Sequence, residues 1–268
     1  MNRLVVLLAA VLVVSGCGTE QRKDNPTAHD VGKIRGVVHL QGALPPSALE
    51  PVKEHPEVCG HDVSLPRIAL GEKNGVQDTF VYLDGVQGGR TFPRPQSVLI
   101  DQRQCRYSPH VMIVPLGAKL EITNSDPILH NVHGLEMTDQ GLQTIFNIAQ
   151  PVRGQRTTVE PALTKPGIIH LACEAGHAWM NAYVFVAIHP YVTVTNQAGE
   201  FVMPQVPAGT YRIKMWHEGV RLKRIIESLQ RYEYEDPYES TQQVVVTPGG
   251  EAVINFDLAL RSSGSESN

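Results

Sequence analysis

The sequence lacks the short motifs that mark several common classes of enzyme. It contains no G-x-S-x-G nucleophile elbow, no Walker phosphate loop and no H-E-x-x-H zinc motif. We therefore expect that the chain is not an enzyme. The chain also lacks a large excess of charge of either sign, because it has 23 Lys and Arg and 27 Asp and Glu, which give a formal net charge of −4. This balance gives no reason to expect a nucleic-acid partner.

The apolar run at the start of the chain is too short to span a membrane comfortably. Residues 4–14 are apolar, Arg3 precedes them, and small residues follow, which is typical of an export signal. Residues 14–17, Val-Ser-Gly-Cys, resemble a bacterial lipoprotein box, which implies cleavage before Cys17 and lipidation of that cysteine. Gly18 in the next position resembles outer-membrane sorting, so we expect a lipoprotein on the periplasmic side of the outer membrane. A simple secretory signal with an incidental cysteine is the alternative.

Helical periodicity is scarce, and before residue 190 it is found only in residues 141–149. Alternation is common instead: Ile34, Gly36, Val38 and Leu40 share one face of a strand. Other short runs bounded by Gly and Pro read as strands: 80–83, 98–101, 111–114, 120–124, 157–160, 168–173 and 183–188. This pattern predicts an all-β fold with a β-sandwich.

The same strand character returns after residue 190 at smaller scale, with runs at 192–195, 201–203 and 211–215 and a hairpin of 244–246 with 252–258. It predicts a second, smaller β-sandwich over residues 189–260. Within it, residues 220–240 form an insert in which four apolar residues at i, i+3, i+4 and i+7 predict a short amphipathic helix. We expect this helix to cover an edge of the module; a partner-docking surface is the alternative. The four residues are Leu222, Ile225, Ile226 and Leu229.

Cysteine is sparse, with four in the chain. If Cys17 carries lipid and Cys173 carries a metal, Cys59 and Cys105 remain. In an oxidising compartment these two are expected to form a disulfide, with free buried thiols as the alternative.

Metal donors are concentrated between residues 124 and 180. Cys173, His177 and Met180 have C-x3-H-x2-M spacing, so one loop between strands can place sulfur, imidazole and thioether around one ion. His130, after the strand at 120–124, supplies the second imidazole. This is the ligand set of a mononuclear, type 1 copper site, so one copper ion is expected. The alternative is a sandwich with a buried free Cys173 and a core Met180, which an oxidising compartment disfavours because an unpaired thiol is reactive there.

Other histidines compete for the same role. His133 lies close to the first ligand and could replace it; otherwise it is a rim residue. His110, at a strand end, is expected to form local hydrogen bonds, with ligation as the alternative. His170 has strand parity opposite to Cys173 and should point to the other face. His217 belongs to the second module and is expected to be structural.

The ligand segments resemble the cupredoxin family. Residues 124–132 are similar to the upstream plastocyanin motif, in which a histidine followed by Asn and Val gives the first ligand, and residues 173–180 resemble the downstream ligand loop. The resemblance covers residues 98–188 and implies a Greek-key sandwich and periplasmic electron transfer. Further residues resemble exported plastocyanin-like proteins with a C-terminal carboxypeptidase-regulatory-like, transthyretin-type module: Tyr107, Ser108, Pro109, His110, Val111, Ala178, Trp179, Trp216, His217 and Glu218.

The ligand loop departs from this family in one respect. Plastocyanin-type loops commonly have two residues between Cys and His and a longer interval to Met. The C-x3-H-x2-M spacing is instead similar to the second half of the binuclear copper loop of cytochrome oxidase. A binuclear site would need a cysteine at position 169, which is Ile169, so we expect one copper with Met180 as its axial ligand.

These observations predict a signal peptide (1–16), a tether (17–32), a cupredoxin-like copper domain (33–188), the second module (189–260) and a disordered tail (261–268). The expected function is single-electron transfer by a lipid-anchored cupredoxin, with His177 as the solvent-near exit. Expected partners are redox proteins such as c-type cytochromes or a membrane oxidoreductase. The alternatives are a periplasmic copper carrier or chaperone, with His133 or His110 making an adaptable site, and a non-redox subunit of a membrane complex.

Overall fold

The structure is a computed structural model that describes residues 30–44, 48–65, 68–86, 90–92, 97–138, 140–226, 228 and 231–261. The predicted signal peptide, Cys17, nearly all of the tether and residues 262–268 lie outside these described residues. None of the helices in the described part is long and apolar enough to cross a membrane.

Strands dominate the described residues, and the predicted all-β sandwich fold is confirmed. The helical elements whose bounds are described are α1 (Pro56–Cys59) and a 3-10 turn at Glu72–Asn74. The strands are β1 (Val31–Gln41), β2 (Ala48–Pro51), β3 (Asp62–Leu65), β4 (Phe80–Asp84), β5 (Val98–Arg103), β6 (Arg106–Ser108), β7 (Val111–Pro115), β8 (Leu120–Asn124), β9 (His130–Thr138), β10 (Gly141–Gln150), β11 (Arg156–Thr158), β12 (Gly167–Ala172), β13 (Asn181–Ala187), β14 (Val192–Val194), β15 (Glu200–Pro207), β16 (Gly209–His217), β17 (Leu222–Ile226), β18 (Arg231–Tyr234), β19 (Tyr238–Val246), β20 (Glu251–Val253) and β21 (Phe256–Ala259).

The first sandwich is built from strands β5 to β13. A five-stranded sheet in the order β10-β9-β12-β13-β7 faces a four-stranded sheet in the order β11-β8-β5-β6. Alternating side chains of both sheets fill the space between them; Leu120 and Ile122 on β8 and Leu171 on β12 are buried in one core. The helical periodicity of residues 141–149 is misleading, because these residues form strand β10. Pairing with β9 along its length determines the conformation, and residues 144–146 include the β-formers Thr, Ile and Phe.

The second sandwich combines strands from both ends of the described chain. One sheet has the order β14-β4-β16-β19, and in the other β1 lies between β15 and the successive strands β20 and β21. Ile34 and Val38 of β1 and Leu83 of β4 belong to its core. The predicted boundary at residue 189 therefore needs correction, because it assigned β1 and β4 to the copper domain. Local alternation shows which face of a strand is buried but not which sheet it joins.

Two local predictions for this module are wrong. The insert at 220–240 contains the antiparallel strands β17 and β18 rather than a helix. The helical spacing depended on Leu229, which lies outside the described residues, while residues 222–226 pair across the hairpin. The predicted hairpin of 244–246 with 252–258 is also absent: β19 pairs with β16, and after the turn at 247–250 the chain crosses to β1 in the opposite sheet.

The two sandwiches pack against each other through a third apolar cluster. Phe80 of β4 and Trp216 of β16 meet Val111 of β7 and Tyr183 of β13. Ring centroids of Tyr183 and Trp216 are 5.0 Å apart in an edge-to-face arrangement. The second sandwich thus covers the outer face of the five-stranded sheet at β7 and β13.

The close approach of β1 to the chain crossing its sheet gives a stability prediction. A Cβ added at Gly36 would lie 1.6 Å from the carbonyl oxygen of Ile254. We expect Gly36→Ala to lower the free energy of unfolding by about 3 kcal/mol, because backbone must shift to admit the methyl group. Gly209→Ala is the control, since its Cβ would meet only the hydroxyl end of Tyr211, at 3.2 Å. Urea unfolding of both variants checks this, and equal losses would contradict it.

Candidate metal centre

Three of the four predicted donors meet at one end of the first sandwich. His130 begins β9, and Cys173 and His177 lie in the loop between β12 and β13. Cys173 Sγ is 4.0 Å from His130 Nδ1 and 3.8 Å from His177 Nδ1. The three donor atoms lie within 4.8 Å of one another, and all three residues are 0% exposed. A thiolate and two imidazoles in this arrangement suit one copper ion.

His130 is oriented by a buried carboxylate. Its Nε2 is 2.9 Å from Asp126 Oδ2, so Nε2–H donates to Asp126 and the lone pair of Nδ1 faces Cys173. Asp126 is fixed in turn, because it accepts the backbone N–H groups of Gln104, at 2.8 Å, and Cys105, at 2.9 Å. The side-chain oxygen of Asn124 accepts a hydrogen bond from the backbone N–H of Asp126 at 2.9 Å, which fixes the turn that leads to Asp126. The sequence motif contained both residues but gave no sign of these roles.

The ligand loop closes on itself through backbone hydrogen bonds. Met180 N–H donates to the carbonyl of His177 at 2.9 Å, and Cys173 N–H donates to the carbonyl of Met180 at 3.2 Å. Gly176 has a φ of +86°, a conformation that favours glycine. Met180 is buried in the same core cluster as Cys173. Its backbone is therefore held beside the donors, and its axial role stays a prediction.

Burial sets the protonation of the donors. It lowers the pKa of His177 to about 4, with the nearby His130 and His55 acting in the same direction. It also lowers the pKa of His130, against the opposing effect of the Asp126 hydrogen bond. Burial raises the pKa of the Cys173 thiol, which backbone hydrogen bonds partly offset. At neutral pH the imidazoles are neutral, as metal ligands must be, and a metal ion would displace the thiol proton.

The donors are covered by residues 48–65, which we call the cover. It comprises the β2–β3 hairpin and α1, and Val52 and Val58 pack against the first core. The ring centroid of His55 is 5.9 Å from that of His177. The prediction that His177 is solvent-near is therefore wrong, because His177 is fully buried and the neighbouring His55 of the cover is exposed instead. Nothing in the pattern of residues 48–65, a Pro-rich stretch, indicated contact with the ligand loop.

A disulfide joins the cover to the first sandwich. Cys59 and Cys105 are bonded, as expected for an oxidising compartment, and Cys173 is the free cysteine of the described residues. The carbonyl of Cys105 accepts a hydrogen bond from the indole N–H of Trp179 at 3.1 Å. The disulfide thus connects the cover to both the Asp126 loop and the ligand loop.

The insert of the second sandwich reaches the ligand loop from another direction. The backbone N–H of Tyr232 in β18 donates to the carbonyl of Ala178 at 3.2 Å. The guanidinium of Arg231 is 3.6 Å from Glu174, whose other carboxylate oxygen is 2.9 Å from His133 Nδ1. The insert, predicted to cover an edge of its own module, instead packs as a hairpin on the ligand loop of the first sandwich.

The remaining histidines lie in other contacts. The Nε2 atom of His133 pairs with the hydroxyl of Thr144 at 2.7 Å. His110 pairs with the carboxylate of Glu218 in the second sandwich, and His170 stacks on Tyr183 with ring centroids 4.9 Å apart. His217 Nδ1–H donates to the carbonyl of Glu218 at 2.8 Å. Within the described residues, none of the four joins the donor triad.

Comparison with known proteins finds similarity among solved structures. No protein-family model and no curated protein matches the chain. Among the solved structures, a purple cupredoxin from Nitrosopumilus maritimus is 22% identical over 33% of this chain and 98% of its own, with a TM-score of 0.29. A reduced Cu(I) form of an amicyanin variant is 19% identical over 38% of this chain and 87% of its own, also at 0.29.

A copper-containing nitrite reductase from Thermus scotoductus SA-01 is 19% identical over 39% of this chain and 25% of its own, with a TM-score of 0.28. Likenesses with TM-scores this low say nothing about function, which is inferred from the geometry of the site.

Proposed function

We propose that this chain is an exported, lipid-anchored copper protein that carries single electrons. One type 1 copper ion would be held by His130, Cys173 and His177, with Met180 as the axial ligand. The anchor is the predicted lipid on Cys17, which places the chain on the periplasmic side of a bacterial outer membrane. Partners would be redox proteins such as c-type cytochromes or a membrane oxidoreductase, and no catalysis on a substrate is proposed.

The observation that carries this proposal is the buried triad of His130, Cys173 and His177. A free thiol within 4.0 Å of two neutral imidazoles, closed off from solvent, has the donor chemistry of a blue-copper centre. Copper supplies one-electron redox chemistry when it is bound there. Sulfur donors favour Cu(I) and imidazoles favour Cu(II), so the set accommodates both oxidation states.

The surrounding residues restrict ligand movement. Asp126 fixes the tautomer and ring orientation of His130, and the backbone bonds of Met180 fix the ligand loop. Ligands that move little between oxidation states favour fast electron transfer. Because the cover hides His177, an electron would leave through the adjacent exposed ring of His55, and a partner would meet the cover.

The alternative of a copper carrier with an adaptable histidine gains no support from the geometry. His133 is held by Glu174 and Thr144, and His110 by Glu218. Neither histidine faces the triad.

A Cu(II) titration of the purified full-length protein tests the proposal. We expect an intense visible thiolate-to-copper absorption band at one equivalent of Cu(II), together with the electron paramagnetic resonance signal of a type 1 site. Cys173→Ser and His177→Ala should lose the band. His133→Ala is the matched control and should keep it, because His133 lies outside the triad.

A colourless protein with an ordinary Cu(II) signal, unchanged by Cys173→Ser, would overturn the electron-carrier proposal. Near-ultraviolet circular dichroism of each metal-free variant separates loss of the site from loss of the fold.

A further inference from the structure

A second set of donor atoms also includes His177. The sulfur atoms of Cys59 and Cys105 and a ring nitrogen of His177 all lie within 4.8 Å of one another. Cys105 and His177 are fully buried, and Cys59 is half-buried. The Nε2 atom of His177 is buried and has no hydrogen-bond partner in the described part of the chain. His177 thus combines a buried ring nitrogen that has no partner with a position beside two sulfur atoms, which indicates a ligand that the disulfide form does not hold.

We propose that reduction of the Cys59–Cys105 disulfide creates a second metal site, formed by Cys59, Cys105 and His177, that binds Cu(I). Thiolates bind metals strongly, whereas the sulfurs of a disulfide do not. Two thiolates and one imidazole form a soft set of three donors, which suits Cu(I), and a tetrahedral zinc site would need a fourth. This inference goes beyond the electron-carrying function and shares with it only His177.

The reducing step needs two electrons from a partner of the dithiol class. Its two thiols become a disulfide, the bond between Cys59 and Cys105 breaks, and each of these sulfurs takes up one proton. Binding of Cu(I) then displaces the protons of the coordinating thiols. Copper is not oxidised or reduced in this step.

The surroundings hold both cysteines near His177 without the S–S bond. The N–H of Cys105 donates to Asp126 and its carbonyl accepts from Trp179, so its backbone is fixed on both sides. The cover keeps its own attachment, because Val52 is buried and Val58 and Val63 pack against the first core. Its hairpin of β2 with β3 is also independent of the disulfide.

The test uses a protein without the thiol of the first centre, Cys173, and measures whether Cys59, Cys105 and His177 still bind Cu(I). Full-length protein carrying Cys17→Ser and Cys173→Ser is treated with a phosphine reductant, which takes up oxygen from water as the disulfide becomes two thiols. After anaerobic removal of the reductant, Cu(I) is titrated against a chromophoric Cu(I) chelator. We expect the reduced protein to retain about one equivalent of Cu(I) at least about 100-fold more tightly than the oxidised protein.

Two variants and one chemical block assign the donors. Adding His177→Ala should weaken Cu(I) binding by at least about tenfold, whereas adding His61→Ala, an exposed histidine of the cover, should leave it unchanged. Blocking the reduced thiols with iodoacetamide should abolish binding without a mutation that could disturb folding. Equal Cu(I) affinity before and after reduction, or no effect of His177→Ala in a protein with an unchanged circular dichroism spectrum, would overturn the proposal.

The two proposals can fail separately. The electron-carrier proposal depends on Cu(II) colour in the oxidised protein with Cys173 intact. The second-site proposal depends on Cu(I) binding by the reduced protein without Cys173. If the oxidised protein stays colourless with Cu(II), the reduced protein can still bind Cu(I). If the reduced protein does not bind Cu(I), the oxidised protein can still show the Cu(II) band.

Discussion

Lowering the pH from 6.5 to 4 is expected to reduce the free energy of unfolding of the metal-free protein by at least about 5 kcal/mol. Burial lowers the pKa of His170 and of His177 to about 4, from an ordinary value of 6.5. The unfolded chain therefore binds more protons than the folded chain throughout this range, so stability falls as the pH falls. A shift of about 2.5 pKa units in each histidine corresponds to about 3 kcal/mol.

The contribution of these two histidines to the free energy of unfolding is complete above pH 6.5 and is lost progressively as the pH falls to 4. For His170, burial is the largest cause, Glu218 opposes it, and Arg231 and His110 reinforce it. Urea unfolding at a series of pH values measures the effect. His170→Gln, which cannot titrate, should remove about 3 kcal/mol of the pH dependence. A pH dependence that is the same in the variant and the parent would contradict the assignment.

Asp126→Ala is expected to lower the free energy of unfolding by about 3–5 kcal/mol, because each of the three donors left without an acceptor costs about 1–3 kcal/mol. The truncation leaves His130 Nε2–H and the N–H groups of Gln104 and Cys105 without their acceptor. It also frees the tautomer of His130, so Cu(II) affinity should fall by about 10–100-fold. Chemical denaturation and competition titration with a Cu(II) chelator measure the two effects.

Asp257→Ala is the matched control for this prediction. Asp257 is exposed and accepts a single hydrogen bond, from Gln41. Its removal should change stability by no more than about 0.5 kcal/mol and leave copper affinity unchanged. Should Asp126→Ala bind Cu(II) as tightly as the parent, the carboxylate would have no part in orienting His130.

The fold class could be predicted because strand periodicity is a local property. Leu120 and Ile122 alternate with polar neighbours, and the structure buries them on one face of β8. The opposite parity of His170 and Cys173 likewise placed them on different sides of their sheet, as observed. Turn residues marked where most strands end. These signals span only a few residues, so tertiary packing did not alter them.

What could not be predicted depends on contacts that are distant in sequence. Strand β1 pairs with β15, more than 150 residues later, and its own alternation suits either sandwich equally. Residues 222–226 fit a helix by spacing, but pairing with β18 makes them a strand. In the candidate site, the spacing of the loop motif was enough to predict Cys173 and His177 as metal donors. The approach of His55 depends on where the disulfide places the cover.

The mixed origin of the second sandwich has a practical consequence for truncation. A fragment ending at residue 188 would retain β1 and β4 but lose the strands on both sides of each, namely β15, β20 and β21 for β1, and β14 and β16 for β4. Ile34, Val38 and Phe80 would then be exposed on unpaired edges, which are templates for aggregation. Such a fragment would also lose β18 from the ligand loop. Producing the candidate metal centre therefore requires both sandwiches, with the strands from β1 to β21.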